Sequence, residues 1–144
     1  PRLARAVERL SVRARSRLAL ENDDRIFAPA DLLPVCERLV VPLVYDAHHH
    51  RCKGDGLSVA EATARAAATW GEREPYFHLS SPRAGWGAGD PRPHADYIDP
   101  GDVPREWLGM DVTVDVEAKA KERAVVAVMG EVSRGGVRKR KARR

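Results

Sequence analysis

The chain has 144 residues, 43% of them hydrophobic, enough for one compact domain or for a piece of a larger one. No apolar run approaches the roughly twenty residues of a membrane-spanning helix, and the arginine-interrupted start lacks the apolar core of a secretion signal. The formal charge of +4 is modest and much of the excess sits in the last eleven residues, RGGVRKRKARR, which hold seven Lys or Arg and no acid, leaving the body of the domain close to neutral.

Residues 3–14, LARAVERLSVRA, place apolar residues at helical spacing, and SRLAL follows as a short apolar strand. APADLLPVCERL, residues 28–39, reads as the next helix, with Asp31 near its start and Pro34 in its first turn, and VPLVYD as the second strand. Three histidines stand at its end, and Cys52 falls in the loop after them. LSVAEATARAAATW opens on Ser58 with Glu61 three residues later, a capping box leading an alanine-rich helix. PYFHLS is a third strand, and residues 82–93 form a Gly- and Pro-rich loop long enough to be functional. GDVPREWLG reads as a short helix, MDVTVDVE as a β-branched strand, and AKAKERAVVAVMGEV as the closing helix.

Helices alternating with strands over short connections predict an α/β fold with a parallel sheet. Four strands are half of a (β/α)8 barrel, which takes about 250 residues, so this chain is too short to close one and a small open sheet is the alternative. The domain is expected over residues 1–132, and residues 133–144 as a basic, disordered tail. Cys36 and Cys52 stand outside any CxxC spacing, which predicts neither a disulfide framework nor a zinc ribbon and points to the cytoplasm. Pro1 stands where an initiator methionine would, so the chain is expected to be part of a longer product.

In parallel α/β folds chemistry gathers at the C-terminal ends of strands. Every predicted strand here brings a carboxylate or imidazole to that end: Glu21, then Asp46 with His49, then His78 with His94 after the long loop, then Glu117. Divalent ions take such ligands, and a carboxylate can bridge two ions roughly 4 Å apart for attack on a phosphodiester. Asn22, Asp23, His48, His50 and Asp96 are candidates to orient the ligands. Taken singly, each acid reads as a helix cap and each histidine as a hydrogen-bonded surface residue. Four strands in succession ending this way favour a metal site. Met110, Met129, Trp70 and Trp107 read as packing residues, and no GxSxG elbow surrounds Ser80 or Ser81.

The segments LALENDD, LLPVCERLVVPLVYDAHHHRC, HLSSPR, HADYID and DVTVDVEAKAKERAV resemble, in order and spacing, the C-terminal half of the UV damage endonuclease family. The resemblance implies a TIM barrel related to endonuclease IV, here as about its last four βα units. It also implies nicking of double-stranded DNA immediately 5′ to ultraviolet photoproducts, with two or three divalent ions, manganese in particular, in the complete protein. Carried over residue by residue, it makes Glu21 a bridging ligand and Asp46, His49, His78, His94 and Glu117 further metal ligands, with Glu21, Glu117 and His78 catalytic. His48 and His50 would orient ligands or face the DNA, and Arg83, Lys119 and Lys121 would contact phosphates. The chain departs from the family at Tyr76, where a lysine is common, and in lacking the N-terminal half with its own histidine ligands and damage-probing residues. Little activity is therefore expected of the chain alone. Its open sheet edges would favour self-association. The competing expectations are a xylose isomerase-like barrel acting on a sugar and a metal-free half-barrel that binds DNA through its basic tail.

Overall fold

The computed structural model describes residues 2–141. Four short parallel strands, β1 (Leu20–Glu21), β2 (Leu43–Val44), β3 (Tyr76–Leu79) and β4 (Thr113–Val116), alternate with helices to give a mixed α/β fold. β1 pairs with β2 through Leu20 and Leu43, and β3 pairs with β4 over its whole length. A parallel bridge between Asp46 and His78, with the His78 N–H donated to the Tyr45 carbonyl at 3.0 Å, joins the two pairs in sequence order. Among the described residues β1 and β4 thus each lack a partner on one side. None of the described helices is long and apolar enough to cross a membrane.

The helices are α1 (Arg2–Glu8), α2 (Val12–Arg15), α3 (Pro29–Leu39), α4 (Ala47–Lys53), α5 (Val59–Ala68) and α6 (Glu122–Lys141), with 3-10 turns at Pro100–Asp102 and Arg105–Trp107 in place of the short helix expected there. The helix predicted over residues 3–14 is split, because Ser11 accepts the Ala14 N–H and so caps α2 as a separate turn. Pro34 lies inside α3 rather than in its first turn. α4 replaces the loop expected after β2 and takes Cys52 into a helix: Asp46 accepts the His49 N–H at 2.7 Å and caps it, and the three histidines form its first turns. α5 starts as expected, with Ser58 and Glu61 in a reciprocal capping box. The closing helix begins at Glu122, not at Ala118, after a turn in which Lys121 has a left-handed φ of 52°. Its backbone runs past residue 132, and residues 142–144 of the tail lie outside the described residues.

Strand periodicity divides the sheet into two faces. Phe77 and Leu79 point into a core with Leu33 and Cys36 of α3, Ala62 and Ala66 of α5, Tyr45 and Trp107. Tyr76 and His78 share the other face with Thr113 and Asp115, their register partners, and that face carries the polar cluster. In the core the Trp107 indole N–H is donated to Thr63 Oγ1 at 3.0 Å, both residues being buried. Thr63→Val keeps the shape and removes this acceptor, so chemical denaturation should show a loss of about 2 kcal/mol. No loss would mean that the indole finds another partner.

Candidate metal centre

Asp46 is completely buried, and its position follows from a local and a long-range constraint. As the α4 cap it spends Oδ1 on the His49 N–H. Asn22, equally buried and just beyond β1, clamps its backbone in both directions, donating Nδ2–H to the Asp46 carbonyl at 2.9 Å and accepting the Asp46 N–H at 3.0 Å. Oδ2 then faces the polar side of the sheet with no hydrogen-bond partner among the described residues. Burial pushes its carboxyl up to about 6, and the negative charges of Glu117 and Glu21 add to this against the opposing His49 contacts.

The chain gathers all six residues expected from the strand ends, Asp46 among them, into one cluster. His78 Nδ1 lies 3.0 Å from Glu21 Oε1 and 3.5 Å from Glu117 Oε1. His49 Nδ1 lies 3.5 Å from both Glu21 Oε1 and Asp46 Oδ2, and His94 Nδ1 lies 3.6 Å from Glu117 Oε2. Three overlapping triads, Glu21–Asp46–His49, Asp46–His78–Glu117 and His49–His94–Glu117, each bring potential ligand atoms within 4.8 Å of one another. Burial lowers the His78 pKa, but its hydrogen bond to Glu21 and the surrounding carboxylates outweigh this and raise it above the usual histidine value. The His49 Nδ1 also meets the Asn22 carbonyl at 3.0 Å, and donation there leaves Nε2 with the free lone pair.

The donor set fits divalent cations. Three carboxylates and three imidazoles, with no sulfur, suit zinc, manganese or magnesium. A buried carboxylate oxygen without a donor is costly unless a positive charge compensates it.

The residues expected to orient ligands divide. Asn22 does clamp Asp46, and His48, buried, accepts from the Ser80 hydroxyl and donates Nε2–H to the Pro91 carbonyl at 2.9 Å, which ties the long loop to the site. Burial holds His48 below its ordinary pKa. Its ring centroid is 5.2 Å from that of His94. Asp23 instead accepts three backbone N–H groups of its own loop, from Arg25, Ile26 and Phe27. His50 is buried on the opposite side, between the Tyr45 hydroxyl at 2.8 Å and Asp55 at 2.9 Å, so it neither touches the cluster nor faces a ligand outside. The Asp96 carbonyl accepts the Ala120 N–H. Tyr76, adjoining His78 on β3, donates its hydroxyl to Asp115 at 2.8 Å. Lys119 and Lys121 line an open cleft of about 630 Å³ with His94 and Glu117. Arg83 is exposed at the base of the long loop. Asp102, absent from the sequence reasoning, is a buried acceptor for Ser81, Trp86 and Arg51, an arrangement that no local spacing signals.

The profile of the UV-endonuclease UvdE family matches residues 1–141. The chain belongs to the UvdE family. It is 39% identical over 132 residues to the UV DNA damage endonuclease of Deinococcus radiodurans, covering 88% of this chain and 41% of that protein. The UV-damage endonuclease of Neurospora crassa is 36% identical over 139 residues, covering 89% of this chain and 21% of the relative. The crystal structure of SacUVDE superposes with a TM-score of 0.79 at 25% identity, covering 94% of this chain and 46% of that one. This UvdE chain therefore spans under half the length of the relatives it matches.

Proposed function

We propose that this UvdE chain is the C-terminal half of a (β/α)8-barrel DNA repair endonuclease of the cytoplasm that nicks double-stranded DNA immediately 5′ to ultraviolet photoproducts and depends on divalent metal. The observation that carries this reading is the gathering of six ligand-type side chains into three overlapping triads, two of which share the buried Asp46, whose Oδ2 accepts no hydrogen bond among the described residues. Glu21, Glu117, Asp46, His49, His78 and His94 would hold the ions, with manganese the favoured ion. Bound there, the ions would supply Lewis acidity for water activation and positive charge opposite the phosphate. The chain's own contribution is placement: Asn22 fixes Asp46 and His49, and His78 holds Glu21 and Glu117 at the distances given above. Lys119, Lys121 and Arg83 would contact the phosphate backbone, a role supported for the two lysines by their place in the cleft beside His94 and Glu117. Lesion selection follows from the low cost of distorting or flipping a dinucleotide that has already lost stacking.

Incision of an irradiated, end-labelled duplex with manganese tests this. Residues 1–141 would replace the matching segment of the Deinococcus radiodurans relative, alongside the chain alone. The chimera is expected to nick 5′ to photoproducts and the chain alone to show little cutting. A chimera that folds and binds manganese without cutting would refute the repair reading and leave a sugar-acting barrel as the alternative.

A further inference from the structure

Trp86 lies in the long loop and keeps 39% of its surface exposed, although the chain hides its other tryptophans better: Trp107 is buried and Trp70 half-buried with its N–H on the Leu43 carbonyl. Exposure of an indole on a Gly-rich loop would ordinarily go with loose placement, yet Trp86 is pinned. Its N–H is donated to Asp102 Oδ1 at 2.7 Å, and Asp102 is itself fixed by the Ser81 hydroxyl at 2.5 Å and by Arg51, which reaches the Asp102 carbonyl at 2.8 Å. The Arg51 guanidinium also lies over the indole, 5.9 Å from its centroid, and the His48 ring stands perpendicular to it at 5.2 Å. The loop is closed by the Arg83 N–H on the Pro93 carbonyl and the His48 bond to Pro91. One histidine ring thus separates Trp86 from His49 and His94.

An indole whose only polar atom is already satisfied, with Arg51 over the ring, has nothing left to offer a ligand but the part of its π surface that stays exposed. Pinned beside a site for phosphodiester chemistry, such a face suits stacking with a nucleobase, which is favourable for every base. Resting on the endonuclease reading above, we propose that Trp86 is a stacking platform for an unpaired base of the incised strand, held rigid by Asp102 and Arg51. It binds without reading base identity, consistent with an enzyme whose selectivity comes from lesion distortion.

The test is a fluorescence titration of the 144-residue chain with oligothymidylate about ten nucleotides long, at low salt, against an abasic strand of equal length and charge. Wild type and Trp86→Phe should bind the thymidylate strand similarly, and Trp86→Leu roughly ten- to a hundredfold more weakly. Wild type should bind the abasic strand as weakly as Trp86→Leu binds thymidylate, and the quenching of indole emission should vanish in Trp86→Phe. The Phe variant lacks the N–H bonded to Asp102, so Phe binding as weakly as Leu would show that anchoring rather than stacking matters and would overturn the proposal. So would equal binding by Trp86→Leu, equal affinity for the abasic strand, or no binding by wild type. Carried into the chimera, undiminished incision by Trp86→Leu would defeat the platform and leave the endonuclease standing. Base-dependent stacking in a chimera that never cuts would do the reverse.

Discussion

Asp46→Asn is expected to make the metal-free chain more stable at pH 7.5 and at the same time to abolish its stabilisation by manganese. The buried Asp46 carboxyl titrates at about 6 against an ordinary 3.8. Because its folded pKa lies above the unfolded one, the folded state binds more protons between these values, and stability falls as pH rises through that window. Above it the full penalty of about 3 kcal/mol is present. Asparagine keeps the cap, since its Oδ1 can still accept the His49 N–H, and it places a neutral amide where Oδ2 now accepts no hydrogen bond from the described residues. Urea melts between pH 5 and pH 8 would show the variant's advantage shrinking as the pH is lowered, when the aspartate of the wild type becomes neutral too. Manganese should raise the wild-type midpoint by mass action and leave the variant unchanged. A variant less stable than wild type without metal, or one equally stabilised by manganese, would remove Asp46 from the centre.

The largest effect on activity is expected from the two glutamates. Glu21 stands between His78 and His49, and Glu117 between His78 and His94, so each side chain takes part in more than one ligand-type contact. In the chimera, Glu21→Gln and Glu117→Gln should each lower single-turnover incision of irradiated duplex on the order of a hundredfold or more, because each removes one negative charge and exchanges one carboxylate oxygen for an amide nitrogen in a set proposed to work as a unit. The double variant should lose little beyond the worse single one. Both side chains are about a third exposed, so the fold should survive and circular dichroism should be unchanged. Incision within a few-fold of the parent for either variant would exclude that glutamate from the reaction.

Features set by neighbours in the chain were legible in advance. The capping box at Ser58 and Glu61 and the alternation in YFHL depend on contacts within a few residues, and the structure places α5 and β3 accordingly. α4 was missed because histidines are weak helix formers, and the cap that starts it doubles as a ligand-type aspartate. The separate fates of adjacent histidines were also out of reach. Successive residues of a helix point about 100° apart, so His48 turns toward Ser80, His49 toward the carboxylates and His50 toward Tyr45 and Asp55.

By itself, then, the sequence determined which residue types arrive at the ends of four parallel strands, because strand periodicity and the βα alternation are local properties. Only the tertiary structure decided that one Asp46 oxygen accepts no hydrogen bond among the described residues, that Asn22 clamps Asp46 from 24 residues away, and that Asp102 pins Trp86 beside the cluster. Those outcomes depend on burial and on hydrogen bonds between segments distant in the chain, which exist only after the strands have packed side by side.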